Sequence, residues 1–171
     1  MSAPDLQAAS SRSWEELVRD GAAGVDAPAA TRRLELVSFG LGRDSYAVSV
    51  GQVREIVRLR PVTPMPRVPD AVRGVISLRG EIVQVIDLRL RLDLEAKEPE
   101  RSTRIIVVHG ENGKAAGILV DSVREVSRVS ESAIRPSPGS EPGSVEALCV
   151  RGDEFVSLVD LDRVLEIHAE R

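Results

Sequence analysis

Residues 79–88 read Arg-Gly-Glu-Ile-Val-Gln-Val-Ile-Asp-Leu, and residues 151–161 read Arg-Gly-Asp-Glu-Phe-Val-Ser-Leu-Val-Asp-Leu, with one residue inserted. Each stretch places a glycine, typical of a tight turn, before a run of β-branched and aliphatic residues typical of a strand. The same order of turn, strand and aspartate occurs twice in one chain. The pattern therefore indicates an internal duplication of a β-rich unit.

A second match precedes the first in both places. Residues 34–59 align with residues 104–129 without a gap, and Val53-Arg54-Glu55 falls on Val123-Arg124-Glu125. Two copies are too few for a solenoid, so the alignment favours a pair of similar β units packed about a pseudo-two-fold axis. Units of about five strands each favour small barrels over open sheets.

The segments between these blocks behave as connectors. Four prolines in residues 60–69 exclude a central strand or a helix interior and predict an extended connector. Residues 93–102 and 136–144 read as surface linkers, the first charged and the second rich in Pro, Gly and Ser. Helical spacing returns only near the end, where Asp160 is a candidate N-cap. The spaced apolar positions of that short C-terminal helix are Leu161, Val164, Leu165 and His168.

The first 31 residues differ from the rest of the chain. They hold eight alanines and have two Arg against five Asp and Glu, so their net charge is -3. We expect a flexible acidic leader over residues 1–31, followed by one β-rich domain over residues 32–167. Residues 13–16 resemble a capping box, which leaves open a short helix through Leu17 and Val18 that docks elsewhere.

Composition restricts the functional classes. The 171 residues are 42% apolar but only 2% aromatic, and the net charge is -4. Nucleic-acid binding is disfavoured, because phosphate backbones require a basic field and bases require aromatic platforms. Cys149 is the single cysteine, which excludes an intrachain disulfide, and no apolar run reaches the ~20 residues of a membrane span. We expect a soluble cytoplasmic protein.

Candidate reactive residues are few. The loop at residues 110–115 superficially resembles a phosphate loop, but its spacing is too short and predicts a hairpin turn. His109 and His168 lack metal-ligand spacing, and no nucleophile motif is present. The carboxylates at element ends are Asp87, Asp121, Asp160 and Asp162. They read as turns and caps, so we predict no catalytic residue, no metal and no cofactor, and a surface that binds other proteins.

The ordered blocks resemble the chemotaxis coupling proteins of the CheW family over about residues 32–167. The resemblance depends on the Leu-Arg-Gly block ending at Gly80, the Val-Asp-Ser-Val block starting at Val120, and the order in which they occur. Two positions depart from the family pattern. Ser77 stands where the family usually has Asn, and Gln84 stands where it usually has Pro.

The resemblance implies two small five-stranded, SH3-like barrels and a non-catalytic adaptor. Such an adaptor joins the cytoplasmic tips of methyl-accepting chemoreceptors to a CheA-type histidine kinase, whose regulatory domain shares the fold. The positions that match the family's receptor-facing surface are Arg79, Glu55 and Val53. Kinase-facing residues are not identified. Because the second copy supplies Glu125 and Arg151, a purely structural ion pair is the competing interpretation of Arg79 and Glu55.

Two other functions remain open from the sequence. The first is a regulator that binds and sequesters a partner kinase without receptors, for which changes at Val53, Glu55 and Arg79 would have little effect. The second is a small hydrolase whose turnover depends on His109 or Asp121.

Overall fold

The computed structural model describes residues 32–137 and 144–167. The strands are β1 (Arg33–Leu41), β2 (Asp44–Ser49), β3 (Val53–Arg58), β4 (Val72–Leu78), β5 (Glu81–Asp87), β6 (Arg104–His109), β7 (Ala115–Val120), β8 (Ser122–Ser130), β9 (Ile134–Pro136), β10 (Val145–Arg151) and β11 (Glu154–Val159). The helices are α1 (Leu88–Arg91) and α2 (Leu161–Leu165). None of the helices in these two ranges is long and apolar enough to cross a membrane. The predicted leader, residues 1–31, lies outside the described residues.

The strands form two sheets. Sheet A has the order β8-β1-β2-β11-β10-β9, and sheet B has the order β3-β6-β7-β5-β4. Neighbouring strands are antiparallel except β11 beside β2 and β5 beside β7, which are parallel. The predicted all-β architecture of two small duplicated units with a short C-terminal helix is confirmed, although sheet A has six strands where five were expected.

Each sheet contains strands of both sequence copies. Sheet A takes the β1–β2 hairpin from the first copy and β8 to β11 from the second. Sheet B takes β3 to β5 from the first copy and the β6–β7 hairpin from the second. The two copies thus exchange their first hairpins, and neither sheet can assemble from one copy alone.

Three apolar clusters follow from this exchange. The shared core lies between the sheets and combines residues of both hairpins: Val37, Phe39, Leu41, Tyr46, Val48, Ile106, Val108, Ile118 and Val120, together with Ile86, Leu88, Val159, Leu161 and Val164. Each sheet also has a core of its own on its other face. Side chains alternate between the two, so Ile105 lies in the sheet B core while Ile106 lies in the shared core.

Strand pairing corrects the gap-free sequence alignment in the first strand. The alignment places Val37 on Val107, yet Val37 lies in the shared core and Val107 in the sheet B core. Phe39 lies opposite Val123 of β8, and Val108 lies opposite the equivalent residue of β3, Val53. Phe39 is therefore the structural equivalent of Val108. The cause is the β6–β7 turn, which has three residues (111–113) between the paired Gly110 and Lys114, where the β1–β2 turn has two (42–43). A one-residue shift moves every side chain of a strand to the other face.

Two aspartates begin the two helices. The Asp87 carboxylate accepts a hydrogen bond from the Arg89 backbone N–H at 3.0 Å, and Asp160 accepts from the Arg163 N–H at 3.3 Å. Asp160 confirms the predicted N-cap, and the α2 residues Leu161 and Val164 are buried. Helix α1 was not predicted. It occupies the matching place in the first copy, where Asp87-Leu88 corresponds to Asp160-Leu161.

The proline-rich connector is extended around Thr63, as predicted, but a turn forms at Pro66 and Arg67, where the φ of Arg67 is 58°. Thr63 forms two backbone hydrogen bonds with Val75, each of 2.9 Å, and so covers the edge of sheet B beside β4. Gly74 allows this close approach, because a Cβ atom there would lie 2.1 Å from the Thr63 carbonyl oxygen. The φ of Gly74 is also positive, at 137°.

We therefore expect Gly74→Ala to lower the free energy of unfolding by more than about 3 kcal/mol, because backbone collision adds to backbone strain. Gly113→Ala is the matched control, since Gly113 also has a positive φ but a Cβ there meets nothing within 4 Å. Its expected cost is only about 1 kcal/mol. Urea unfolding measures both variants, and equal losses would contradict the proposed contact with the connector.

A polar latch marks the point where the chain passes from sheet B to sheet A. Asp121 lies between β7 and β8, and Arg89 donates to its two carboxylate oxygens at 2.8 and 2.5 Å. The Gly42 backbone N–H, from the β1–β2 turn, adds a hydrogen bond of 2.7 Å. The Arg89 guanidinium, with help from Gly42, holds the pKa of Asp121 below its usual range. The latch thus joins α1, the crossover and the exchanged hairpin.

Asp121→Asn should lower the free energy of unfolding by about 1–3 kcal/mol at neutral pH, because it removes the negative charge that faces the largely buried Arg89 guanidinium. The folded-state pKa is lowered, so this stabilisation is present above the ordinary carboxyl pKa near ~4 and is lost as the pH falls through the folded-state value. Urea titrations at neutral and strongly acidic pH should show the two proteins converging in acid. Asp93→Asn, at an exposed residue, is the control. A gap between Asp121→Asn and the native protein that is constant with pH would contradict the latch.

Candidate functional site

Most of the candidate reactive residues have structural roles. Asp87 and Asp160 cap helices, and Asp121 belongs to the latch. Burial raises the pKa of the Cys149 thiol, which lies in the sheet A core with 1% of its surface exposed. His109 is exposed at the end of β6, and His168 lies outside the described residues.

Carboxylates near α2 do not assemble a metal site. Burial, with Asp160, Glu166 and Glu111 nearby, raises the pKa of Asp162. Within residues 32–137 and 144–167, no group of three or more His, Cys, Asp or Glu side chains is arranged to hold a metal ion. The loop at residues 110–115 is the predicted hairpin turn, closed by a hydrogen bond from the Gly110 N–H to the Lys114 carbonyl at 2.7 Å.

The repeated Val-Arg-Glu motif forms a β-bulge. Val53 lies opposite Val108 and Glu55 lies opposite Val107, so Arg54 is the extra residue of β3. The second copy has the same irregularity in β8, centred on Arg124. A bulge locally re-aims the side chains of its strand. In sheet B it directs both Arg54 and Glu55 toward the turn between β4 and β5.

Glu55 and Arg79 form the predicted pair. Arg79 Nε donates to Glu55 Oε1 at 3.4 Å, and its Nη2 donates to Oε2 at 3.0 Å. The hydrogen bonds that Arg79 donates to Glu55, together with the negative charge of that carboxylate, raise the pKa of Arg79. Because β3 and β4 are opposite edges of sheet B, the pair connects the two edges of the sheet. We call this end of sheet B, with Arg54, Glu55, Arg79 and Glu81, the charged mouth.

Arg79 occupies an unfavourable backbone conformation. The β4–β5 turn consists of Arg79 and Gly80, whose φ angles are 52° and 80°. A two-residue turn with both φ values positive favours Asn-Gly, and a side chain such as arginine costs about 1–2 kcal/mol there. The turn forms with Ser77 in place of the family's asparagine. The Arg79 side chain is 81% exposed, so turn stability does not explain an arginine at this position.

A second ion pair lies beside the first. Arg54 Nη1 approaches Glu81 Oε2 at 3.2 Å, and Glu81 Oε1 accepts a hydrogen bond from the Ala115 N–H at 3.3 Å. The pocket between the two ion pairs has a volume of about 160 Å³. Leu78, Val107 and Ala115 are its apolar lining residues. The charged mouth therefore offers charged side chains around a small apolar floor.

Val53 has a different environment from its two predicted companions. Its side chain is partly buried and packs against the shared core. The structure thus brings Glu55 and Arg79 together and places Val53 on the core side of the bulge. Sequence reasoning missed Arg54, Glu81 and the 73% exposed Ile82. The sequence does contain a pattern that could have identified Arg54 and Glu81. An Arg-Glu pair in β3 and an Arg-Gly-Glu turn have complementary charges and can form two ion pairs.

The second copy resembles this arrangement without reproducing it. Glu125 pairs with Arg151, but Arg151 is the last residue of β10 and lies opposite Glu154, outside the turn. The sequence alignment of Arg79 with Arg151 is therefore corrected by the strand pairing. Arg124 donates to the Ser45 hydroxyl in place of a carboxylate. An Arg–Glu pair is common to both copies, while the exposed turn arginine and the double ion pair occur at the charged mouth.

Gln84, the second departure, occupies the central strand β5. It lies between Val75 of β4 and Ala116 of β7, where a proline would lose its backbone donor. The strand continues through this position without a register shift from Gly74 to Leu78. The substitution therefore leaves the sheet intact.

Comparison with known proteins agrees with this architecture. The family model of the CheW-like domain matches residues 35–168. The chemotaxis protein CheW of Rhizobium meliloti (strain 1021) is 36% identical over 135 residues, which cover 76% of this chain and 86% of that protein. The chemotaxis protein CheW of Bacillus subtilis (strain 168) is 33% identical over 136 residues, covering 77% and 86%.

A solved structure shows the same fold. The crystal structure of the scaffolding protein TtCheW from Thermoanaerobacter tengcongensis superimposes with a TM-score of 0.75 at 30% sequence identity, covering 81% of this chain and 97% of that chain. The matches in sequence and in structure cover the two-sheet domain described above. The chain belongs to the family of CheW-like domain proteins.

Proposed function

We propose that this chain is a non-catalytic cytoplasmic adaptor that couples chemoreceptors to a CheA-type histidine kinase. Membership of the CheW-like family supports the coupling role. The observation that carries the receptor-facing assignment is Arg79, an exposed arginine kept in a turn conformation that disfavours it. A residue retained against its local conformational preference indicates a functional constraint.

The geometry of Arg79 suits recognition of a helical partner. Glu55 accepts from Nε and Nη2, so one edge of the planar guanidinium is held while Nη1 remains for a partner. A guanidinium fixed on one edge loses less side-chain entropy on binding than a free one. Ile82, the residue after Glu81 in β5, is exposed and offers an apolar side chain against which a receptor helix can pack.

Coupling requires that receptor binding and kinase binding influence each other through one body. The shared core joins sheet A to sheet B, so the charged mouth is fixed relative to the rest of the domain. The adaptor then biases the kinase through a coupling free energy, which is the difference in its affinity for the two kinase states. No chemical step on this chain is required.

We expect Arg79→Asn to reduce receptor-dependent kinase activation by about tenfold, equivalent to about 1.4 kcal/mol of lost binding free energy. The thermal midpoint should stay equal or rise, because Asn-Gly is favoured in this turn. Affinity for the isolated kinase regulatory domain, measured by calorimetry, should not change. The experiment is a reconstituted phosphorylation assay with receptor membranes, kinase and adaptor.

Arg151→Gln is the matched control, since it removes the arginine that pairs with Glu125, the glutamate of the second copy that corresponds to Glu55. It should leave receptor-dependent activation at the native level. Equal activation by Arg79→Asn and the native chain would reject the receptor-facing assignment and favour a receptor-independent regulator of the kinase.

A further inference from the structure

The same Arg-Glu dipeptide is used differently in the two copies. In sheet B both residues pair across the charged mouth, Arg54 with Glu81 and Glu55 with Arg79. In sheet A only Glu125 pairs in this way, while Arg124 donates to a serine hydroxyl. The double ion pair is therefore a feature of sheet B that the duplication does not explain.

Glu81 connects three strands of sheet B. It belongs to β5, pairs with Arg54 on β3 and accepts from the backbone N–H of Ala115 on β7. The Arg54 and Glu81 side chains are 37% and 41% exposed, so solvent screens the pair and its direct contribution to stability is small. Any function of the pair therefore depends on the position in which it holds the Arg54 guanidinium, and not on its contribution to stability.

Arg54 and Arg79 both line the pocket of the charged mouth, together with Glu55. Arg54 is adjacent to Glu55 in the chain, and the bulge directs both side chains toward the β4–β5 turn. Glu55 and Glu81 are the carboxylates that line the pocket with Arg54, so we expect Arg54 to turn to Glu55 when Glu81 loses its charge. If Glu55 moved to Arg54, the edge of Arg79 that Glu55 now holds would be free, and Arg79 would lose its fixed orientation.

We propose that Arg54 and Glu81 are positioning residues of the receptor-facing surface, which keep Arg54 away from Glu55 so that Glu55 orients Arg79. This inference rests on the proposed function of the charged mouth. It assigns the difference between the two copies to specificity, because sheet A has neither the second ion pair nor an arginine in the corresponding turn.

The test is a calorimetric titration of the full chain with the soluble cytoplasmic fragment of a chemoreceptor from the same genome. Glu81→Gln keeps an acceptor for the Ala115 N–H but removes the charge, and should weaken binding by roughly two- to fivefold. Glu154→Gln, at the equivalent strand position of the second copy, should bind as the native chain does. Thermal midpoints should be unchanged in both variants.

The double variant Arg54→Gln with Glu81→Gln separates positioning from simple support. Removal of the competing guanidinium should restore affinity to near the native value, whereas a supporting ion pair would leave the double variant as weak as Glu81→Gln. Native binding by Glu81→Gln, or no recovery in the double variant, overturns the positioning role. Native binding by Arg79→Asn in the same titration would instead reject the receptor-facing site itself.

Discussion

The exchange of hairpins between the two sequence copies is the constraint on which the rest of the structure depends. The β1–β2 hairpin completes sheet A and the β6–β7 hairpin completes sheet B, and the inward faces of both hairpins form the shared core. Burial of aliphatic side chains from both copies stabilises the two sheets together. The chain crosses from sheet B to sheet A at Asp121, where the latch holds the exchanged β1–β2 hairpin in place. The shared core also fixes the charged mouth to the rest of the domain.

Much of this fold could be predicted from the sequence, because duplication and alternation are local patterns. The strands, the cap at Asp160 and the extended connector all follow from turn residues and apolar spacing. The hairpin exchange could not be predicted. The turn of a hairpin fixes the register between its two strands, and this register is the same whichever sheet the hairpin joins. The shift in β6 was also hidden, because a gap-free alignment cannot detect one extra residue in a turn.

The site was predictable in part. The resemblance to the CheW family pointed to Glu55 and Arg79, and the structure places them within hydrogen-bond distance. The sequence did not reveal the positive φ of Arg79 or the contact of Arg54 with Glu81, because both depend on how the edges of sheet B meet. Residues at a bulge are hard to place on a face, so Val53 was grouped with the pair although it packs inward.

We propose that one copy of this chain binds receptor and kinase at the same time, as a single body. The most direct measurement is the mass of the complex formed when the native chain, a soluble receptor cytoplasmic fragment and the kinase regulatory domain are mixed, determined by light scattering after gel filtration. We expect a three-component complex that does not form when the adaptor is omitted. Two separate binary complexes, with receptor and kinase displacing each other from the adaptor, would contradict it.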